Sequence, residues 1–280
     1  MIFLNGKLLD PAEARIDPAD RGFLLGDGLF ETLRAYRGRP FRLAAHLARL
    51  RAGAEVLGIP VPMTDAAIAD AVSAVLRANG LAESDASIRV TLTRGAGPRG
   101  LLPPPEPTPT LMITAAAYAA PEARPRKAAI ASIRRNDRSP AARLKTLGYL
   151  DNVLALREAA ARGFEEVILL NTKDRVASGS HGNLFLVIDG ALRTPPPEEG
   201  LLPGITRALI LDLARDLGVA AHEAPIEAGD LARAEEAFLT NSLVEIAPLA
   251  RIEDRTIGNG EPGPLTQKVR RRYREITASG

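Results

Sequence analysis

The chain has no cysteine and no tryptophan, only three histidines, and only five lysines among its 36 basic residues. Without cysteine there is no disulfide, no thiolate nucleophile and no cysteine zinc site. His46, His181 and His222 are scattered without the spacing of paired ligands, so no metal site is expected. Aromatic residues make up 4% of the chain, which leaves few platforms for stacking single-stranded bases. The net charge is +2, and Arg270, Arg271, Arg272 and Arg274 read as the solvated face of a terminal helix, so no nucleic-acid partner is expected. No apolar run approaches the ~20 residues of a membrane helix. The opening apolar residues are too few for a signal peptide, so a cytoplasmic protein without a membrane partner is expected.

What is present is a globular composition, 46% hydrophobic and 25% charged, over 280 residues. That length holds one large domain or two modest ones. Alternation predicts a hairpin at 2–4 and 7–9 and strands at 32–36, 87–93, 110–117, 128–133, 166–170, 183–188 and 191–194. Helical periodicity closed by glycine marks 43–57, 65–79 and a helix after Lys145 that Gly163 ends, and 204–217 reads as a further helix. Strands and helices mix without strict alternation, which predicts an α+β fold of two α/β subdomains with a cleft between them. Their expected limits are 1–118 and 127–280, joined by a proline-bearing linker at 119–126.

Lys145 stands apart from the other lysines. Lys7 and Lys173 sit in turns, Lys127 follows the linker, and Lys268 belongs to the Arg-rich helix. Lys145 leads into Leu147, Leu150, Val153, Leu154 and Leu156, which reads as a buried helical stripe with the amine at its lip. Burial lowers a lysine's pKa, as imine chemistry requires, whereas a lysine snorkelling at a helix start would read the same way.

Gly95-Ala96-Gly97-Pro98-Arg99-Gly100 satisfies G-x-G-x-x-G, but Leu101-Leu102-Pro103-Pro104-Pro105 follows, and no helix can start there to receive a pyrophosphate. Arg94 and Arg99 on this loop suit capture of a carboxylate, or are surface charge. Gly204, Ile205 and Thr206 open a helix, and their amides with the threonine hydroxyl suit a phosphate, or form an ordinary cap. Thr240, Asn241 and Ser242 end an apolar strand and could complete the cup. Ser178-Gly179-Ser180-His181-Gly182 lacks the spacing of a hydrolase nucleophile and reads as a loop. An imine-forming lysine and a phosphate cup, without metal, thiol or dinucleotide site, point to pyridoxal 5'-phosphate.

At these residues the chain resembles the class IV aminotransferases, pyridoxal-phosphate enzymes of fold type IV that include D-amino-acid transaminase, branched-chain aminotransferase and aminodeoxychorismate lyase. The resemblance runs through Asp20-Arg21-Gly22, Gly26-Asp27-Gly28-Leu29-Phe30-Glu31, His46-Leu47-Ala48-Arg49-Leu50, the 94–100 loop, Leu144-Lys145-Thr146 with Asn152, Gly182-Asn183-Leu184-Phe185, Pro203-Gly204-Ile205-Thr206-Arg207 and Thr240-Asn241-Ser242. It implies that the cofactor lies in the cleft between the subdomains and that Lys145 bonds to it and then shuttles a proton. Cofactor-binding residues would be Arg49, Lys145, Ser178, Gly204, Ile205, Thr206, Thr240 and Asn241, with Arg49 on the phosphate. Phe30, Arg99 and Leu101 would face substrate, with Arg99 on its carboxylate. Ser178 stands where the family has a glutamate that keeps the pyridine nitrogen protonated, and Phe30 and Leu101 stand where D-amino-acid enzymes have Tyr and His. The implied partners are a small amino donor and a 2-oxo acid, and a second copy of the chain in a homodimer. Expected activities are amino-group transfer, elimination of pyruvate from aminodeoxychorismate, or cofactor binding with reduced activity.

Overall fold

The computed structural model describes residues 1–119 and 124–279. Four positions of the expected linker, 120–123, lie outside the described residues. The chain divides into two compact units: Met1–Ala119 with Leu144–Gly148, and a second described over 124–143 and 149–279.

In the first unit β1 (Ile2–Leu4) and β2 (Lys7–Leu9) form a hairpin, followed by the short helix α1 (Arg21–Leu25). Then come β3 (Gly28–Tyr36), β4 (Arg39–Pro40), α2 (Leu43–Leu57), α3 (Asp65–Ala78), β5 (Ala86–Thr93) and β6 (Thr110–Ala117). The six strands pair in the order β2-β1-β6-β5-β3-β4. Gly58 ends α2 at φ 64°, and the Thr64 hydroxyl caps α3 by accepting from the Ala67 amide.

Ile88, Val90 and Leu92 alternate along β5 and join Leu29 and Leu33 of β3, Leu47 and Leu50 of α2, and Val72 and Val75 of α3 in one core. The intervening side chains Ser87, Arg89 and Thr91 therefore stand on the opposite face of the sheet. Phe30 and Thr32 share that face, because they pair directly with Thr91 and Arg89.

The second unit contains β7 (Arg126–Arg135), α4 (Leu150–Ala161), β8 (Glu166–Asn171), β9 (Val176–Gly179), β10 (Asn183–Ile188) and β11 (Ala191–Thr194). It continues with α5 (Ile205–Asp216), β12 (Ala221–Glu223), β13 (Glu236–Asn241), β14 (Glu245–Ile252), β15 (Arg255–Thr256) and α6 (Pro264–Ser279). Eight strands follow the path β12-β11-β10-β13-β14-β7-β8-β9, and β15 pairs with β14. Ile168, Leu170, Leu184, Leu186 and Leu239 fill one core, while Ala155 and Ala159 of α4 pack on Val167 and Leu169.

Two expectations from the sequence are corrected here. Residues 176–179 form a buried strand paired with β8, so Ser178 is held in a sheet and not in a loop. The helix after Lys145 begins only at Leu150, and Leu150 and Val153 are exposed; the small face of Ala155 and Ala159 is the buried one. Among the described residues no helix is long and apolar enough to cross a membrane, and no cluster of His, Cys, Asp or Glu could hold a metal ion.

Candidate functional site

In the first unit Lys145 lies on an extended segment laid along the start of β3. The Phe30 amide donates to the Lys145 carbonyl at 2.9 Å, the Leu147 amide donates to the Gly28 carbonyl at 3.0 Å, and Leu29 and Thr146 form a bridge. That register sets Lys145 opposite Phe30 on the sheet face turned away from α2 and α3. Its Nζ sits 4.3 Å from the centroid of the Phe30 ring. The Arg89 guanidinium lies 3.8 Å from the same centroid, and its Nε donates to the Thr91 hydroxyl. Amine, aromatic ring and guanidinium are thus grouped by two strands and one returning segment. Arg89 carries no motif in the sequence; the alternation of Ala86-Ser87-Ile88-Arg89-Val90-Thr91 is the signal that places it off the core face.

Arg49, on α2, is held by Glu31 through two hydrogen bonds, Nε to Oε1 at 2.8 Å and Nη2 to Oε2 at 2.6 Å. The His46 ring, one helical turn earlier, meets Glu31 Oε2 through Nδ1 at 2.7 Å. Burial pushes the Glu31 carboxyl up, but the hydrogen bonds and charges of Arg49 and His46 outweigh it and hold it below its ordinary value. Glu31 and His46 appear in the sequence only as motif letters; their spacing from Arg49 across a strand and a helix gives them no joint pattern.

The 94–100 loop separates its two arginines. Arg94 is buried, with Nε 2.8 Å from Asp27 and its Nη atoms donating to the carbonyls of Leu57 and Gly58. It is structural, which corrects the expectation that it could capture a carboxylate. Arg99 and Leu101 are exposed on the same loop, while Phe30 is buried.

In the second unit Gly204 is the N-cap of α5 and no side chain caps the helix, so the amides at its start keep their donor capacity. A Cβ on Gly204 would come within 2.1 Å of Asn183 Oδ1, and Asn183 pairs in register with Thr240 of β13. Thr240 is 1% exposed, and among the described residues its hydroxyl has no hydrogen-bond partner. Asn241 Oδ1 accepts from the amides of Leu243 and Val244 and so shapes the turn after β13. Ser178 is buried, and its hydroxyl donates to the Gly179 carbonyl at 3.0 Å. Ile205 is half-buried and Thr206 buried.

An uncapped helix start beside a buried, unpartnered hydroxyl fits a phosphate, and an amine against an aromatic ring fits an aldehyde-bearing cofactor. A family model, amino-transferase class IV, matches residues 28–252. The chain belongs to the class IV aminotransferases. A Methanocaldococcus jannaschii protein named "Putative branched-chain-amino-acid aminotransferase" is 38% identical over 98% of this chain and 96% of its own. An aminodeoxychorismate lyase of Bacillus subtilis is 32% identical over 98% of this chain and 94% of its own. The crystal structure of a T.th. branched-chain amino acid aminotransferase with pyridoxamine 5'-phosphate superposes with a TM-score of 0.93 at 30% identity, covering 99% of this chain and 94% of that one. This class IV chain is a pyridoxal-phosphate-dependent enzyme of mixed helices and sheets.

Proposed function

We propose that this class IV enzyme transfers an amino group between an amino acid and a 2-oxo acid, with Lys145 as its catalytic residue. The observation that carries the reading is the grouping of the Lys145 amine, the Phe30 ring and the Arg89 guanidinium on one sheet face. Pyridoxal 5'-phosphate, when bound, supplies an aldehyde that condenses with amines and a ring that withdraws electrons from the carbon beside them. Arg49, Gly204, Ile205, Thr206 and Thr240 would hold its phosphate through charge, amides and hydroxyl. Ser178 would offer the ring nitrogen a hydroxyl, and Asn241 would fix the turn beside Thr240. Lys145 would take the proton from the substrate's α carbon and deliver it to the carbon of the cofactor's aldehyde, the shift that leaves the amino group on the cofactor. Arg99 would bind the carboxylate, with Phe30 and Leu101 lining the substrate.

The amino donor in this reading is an L- or D-amino acid, and a homodimer is proposed with it. The second reading, elimination of pyruvate from aminodeoxychorismate to give 4-aminobenzoate, is favoured by the Bacillus subtilis relative. The two separate in one experiment. Purified enzyme is given L-leucine, D-alanine, (R)-1-phenylethylamine and aminodeoxychorismate in turn while the cofactor spectrum is followed. Conversion to the pyridoxamine form supports transfer. Pyruvate release without that conversion sinks it in favour of elimination.

A further inference from the structure

The loop at 95–108 has no regular structure, yet it is fastened at both ends of its reach. At its neck the Arg21 amide donates to the Gly95 carbonyl at 2.9 Å and the Gly97 amide to the Ala19 carbonyl at 3.3 Å. Gly95 has φ +82°, and a Cβ there would lie 1.7 Å from the Thr108 carbonyl oxygen, so only glycine lets the two arms approach. At its tip the guanidinium of Arg21 reaches three successive carbonyls: Nη1 to Gly100 at 2.9 Å and Leu102 at 3.5 Å, and Nη2 to Leu101 at 2.9 Å. Its remaining Nε donates to Asp27 at 2.9 Å, and Asp27 is shared with Arg94. Burial pushes the Asp27 carboxyl up, but the two arginines outweigh it and hold it below its ordinary value.

Three carbonyls turned inward onto one buried cation leave their side chains facing out. Leu101 and Leu102 are each 85% exposed, and Arg99 is exposed beside them. A loop of this length without such a clamp would sample many conformations, and fixing it would count against every substrate it bound.

We infer that Arg21 is a positioning residue for substrate recognition: it touches no substrate, but it sets where Arg99 and Leu101 stand. The inference rests on the reading of Arg99 as the carboxylate partner. It extends that reading, because it assigns the selectivity for a carboxylate to a buried residue outside the loop.

The test uses Arg21→Lys holoenzyme, which keeps a cation beside Asp27 but loses the planar fork that reaches three carbonyls. Trypsin cleavage after Arg99, which needs no substrate, is expected to quicken about tenfold or more as the clamp opens. KM for a carboxylate-bearing amino donor is expected to rise about tenfold with kcat within about twofold, while KM for (R)-1-phenylethylamine stays put. The cofactor absorption band should be unchanged. Unaltered cleavage after Arg99 would overturn the clamp itself. Faster cleavage with an unmoved KM, in an enzyme where Arg99→Ala does raise KM, would overturn the positioning role. Should Arg99→Ala leave KM unmoved, the carboxylate reading of Arg99 fails, and the selectivity role of Arg21 falls with it. If Arg21→Lys does not fold, Arg21→Gln, which leaves Asp27 paired with Arg94, is read by the same cleavage and kinetics.

Discussion

The residues proposed to hold cofactor and substrate differ in chemical kind between the two units. Those of the first unit are mostly charged: Lys145, Arg49, Arg89 and Arg99. Those of the second are neutral: the amides of Gly204, Ile205 and Thr206, the hydroxyls of Thr240 and Ser178, and the amide of Asn241. A charge taken out of water must be braced, and Arg49 has Glu31 and Arg94 has Asp27. A backbone amide at a helix start needs no counter-ion, only a helix whose first turn nothing else caps, as at Gly204. The first unit's contribution therefore depends on counter-ions, and the second's depends on shape.

The largest effect expected is at Lys145. Lys145→Ala should abolish borohydride-fixed attachment of the cofactor and lower turnover by roughly 10²–10⁴-fold or more, the span of one positioned acid–base group. Peptide mapping that found the reduced cofactor on Lys127 or Lys173 would break the comparison at its root.

Glu31 comes next, because it separates a braced charge from an unbraced one. Glu31→Gln leaves Arg49 and His46 beside an uncharged amide and should cost about 3–5 kcal/mol in denaturant unfolding, the range for breaking a buried pair. Because the carboxyl is held below its unfolded value, its contribution is fully present above the unfolded pKa of about 4.3 and is lost as pH falls through the folded value. Wild type should thus lose stability steeply in that acid window, and the variant should show a flatter slope there. Parallel slopes would mean that Glu31 carries no linkage.

For the neutral side the expectation changes sign with the cofactor. Thr240→Val removes a buried hydroxyl that has no partner among the described residues, so the apo-protein should gain stability or stay unchanged, while the phosphate grip weakens by about 1.5–3 kcal/mol, the range for hydrogen bonds to charged groups. Titration with pyridoxal 5'-phosphate checks it; unchanged affinity would remove Thr240 from the phosphate set. The smallest and most delicate change is Ser178→Glu, which puts a charge into the neutral set. It should raise the transfer rate by stabilising a protonated ring nitrogen, at a packing cost of about 1–3 kcal/mol. A folded, cofactor-loaded variant with unchanged turnover would show that a hydroxyl suffices there.

How much of this is legible in the sequence follows the range of each interaction. Helix α2 is readable to the residue, because periodicity and Gly58 are both local. The start of α5 is readable for the same reason, since Gly204, Ile205 and Thr206 are consecutive. The Leu147, Leu150 and Val153 pattern misleads: its spacing is helical, yet residues 144–148 take an extended path because β3 offers them backbone partners that no local pattern can announce. Strand β9 escapes a sequence reading because Ala177-Ser178-Gly179 has no apolar alternation; neighbours on β8 make it a strand. The Arg21, Asp27 and Arg94 network includes a bond between residues 67 positions apart and leaves no periodic trace. Arg94 and Arg99 read alike along the chain, and nothing local shows that Arg94 is already committed to Asp27 while Arg99 stands exposed.

The short return of residues 144–148 to the first unit bears on how the gene could be divided. A fragment ending at Ala119 would carry every strand of its sheet but not the segment that covers the start of β3. The Phe30 amide and the Gly28 carbonyl would then lie on an open edge, beside Phe30 itself, and such an edge invites pairing with another molecule. A complementary fragment beginning after it would hold the lysine without the strand that aligns it. The two halves of this polypeptide are compact as folded bodies but not separable as translation products, and a cut placed within 144–148 should inactivate where a nick in an exposed turn would be tolerated.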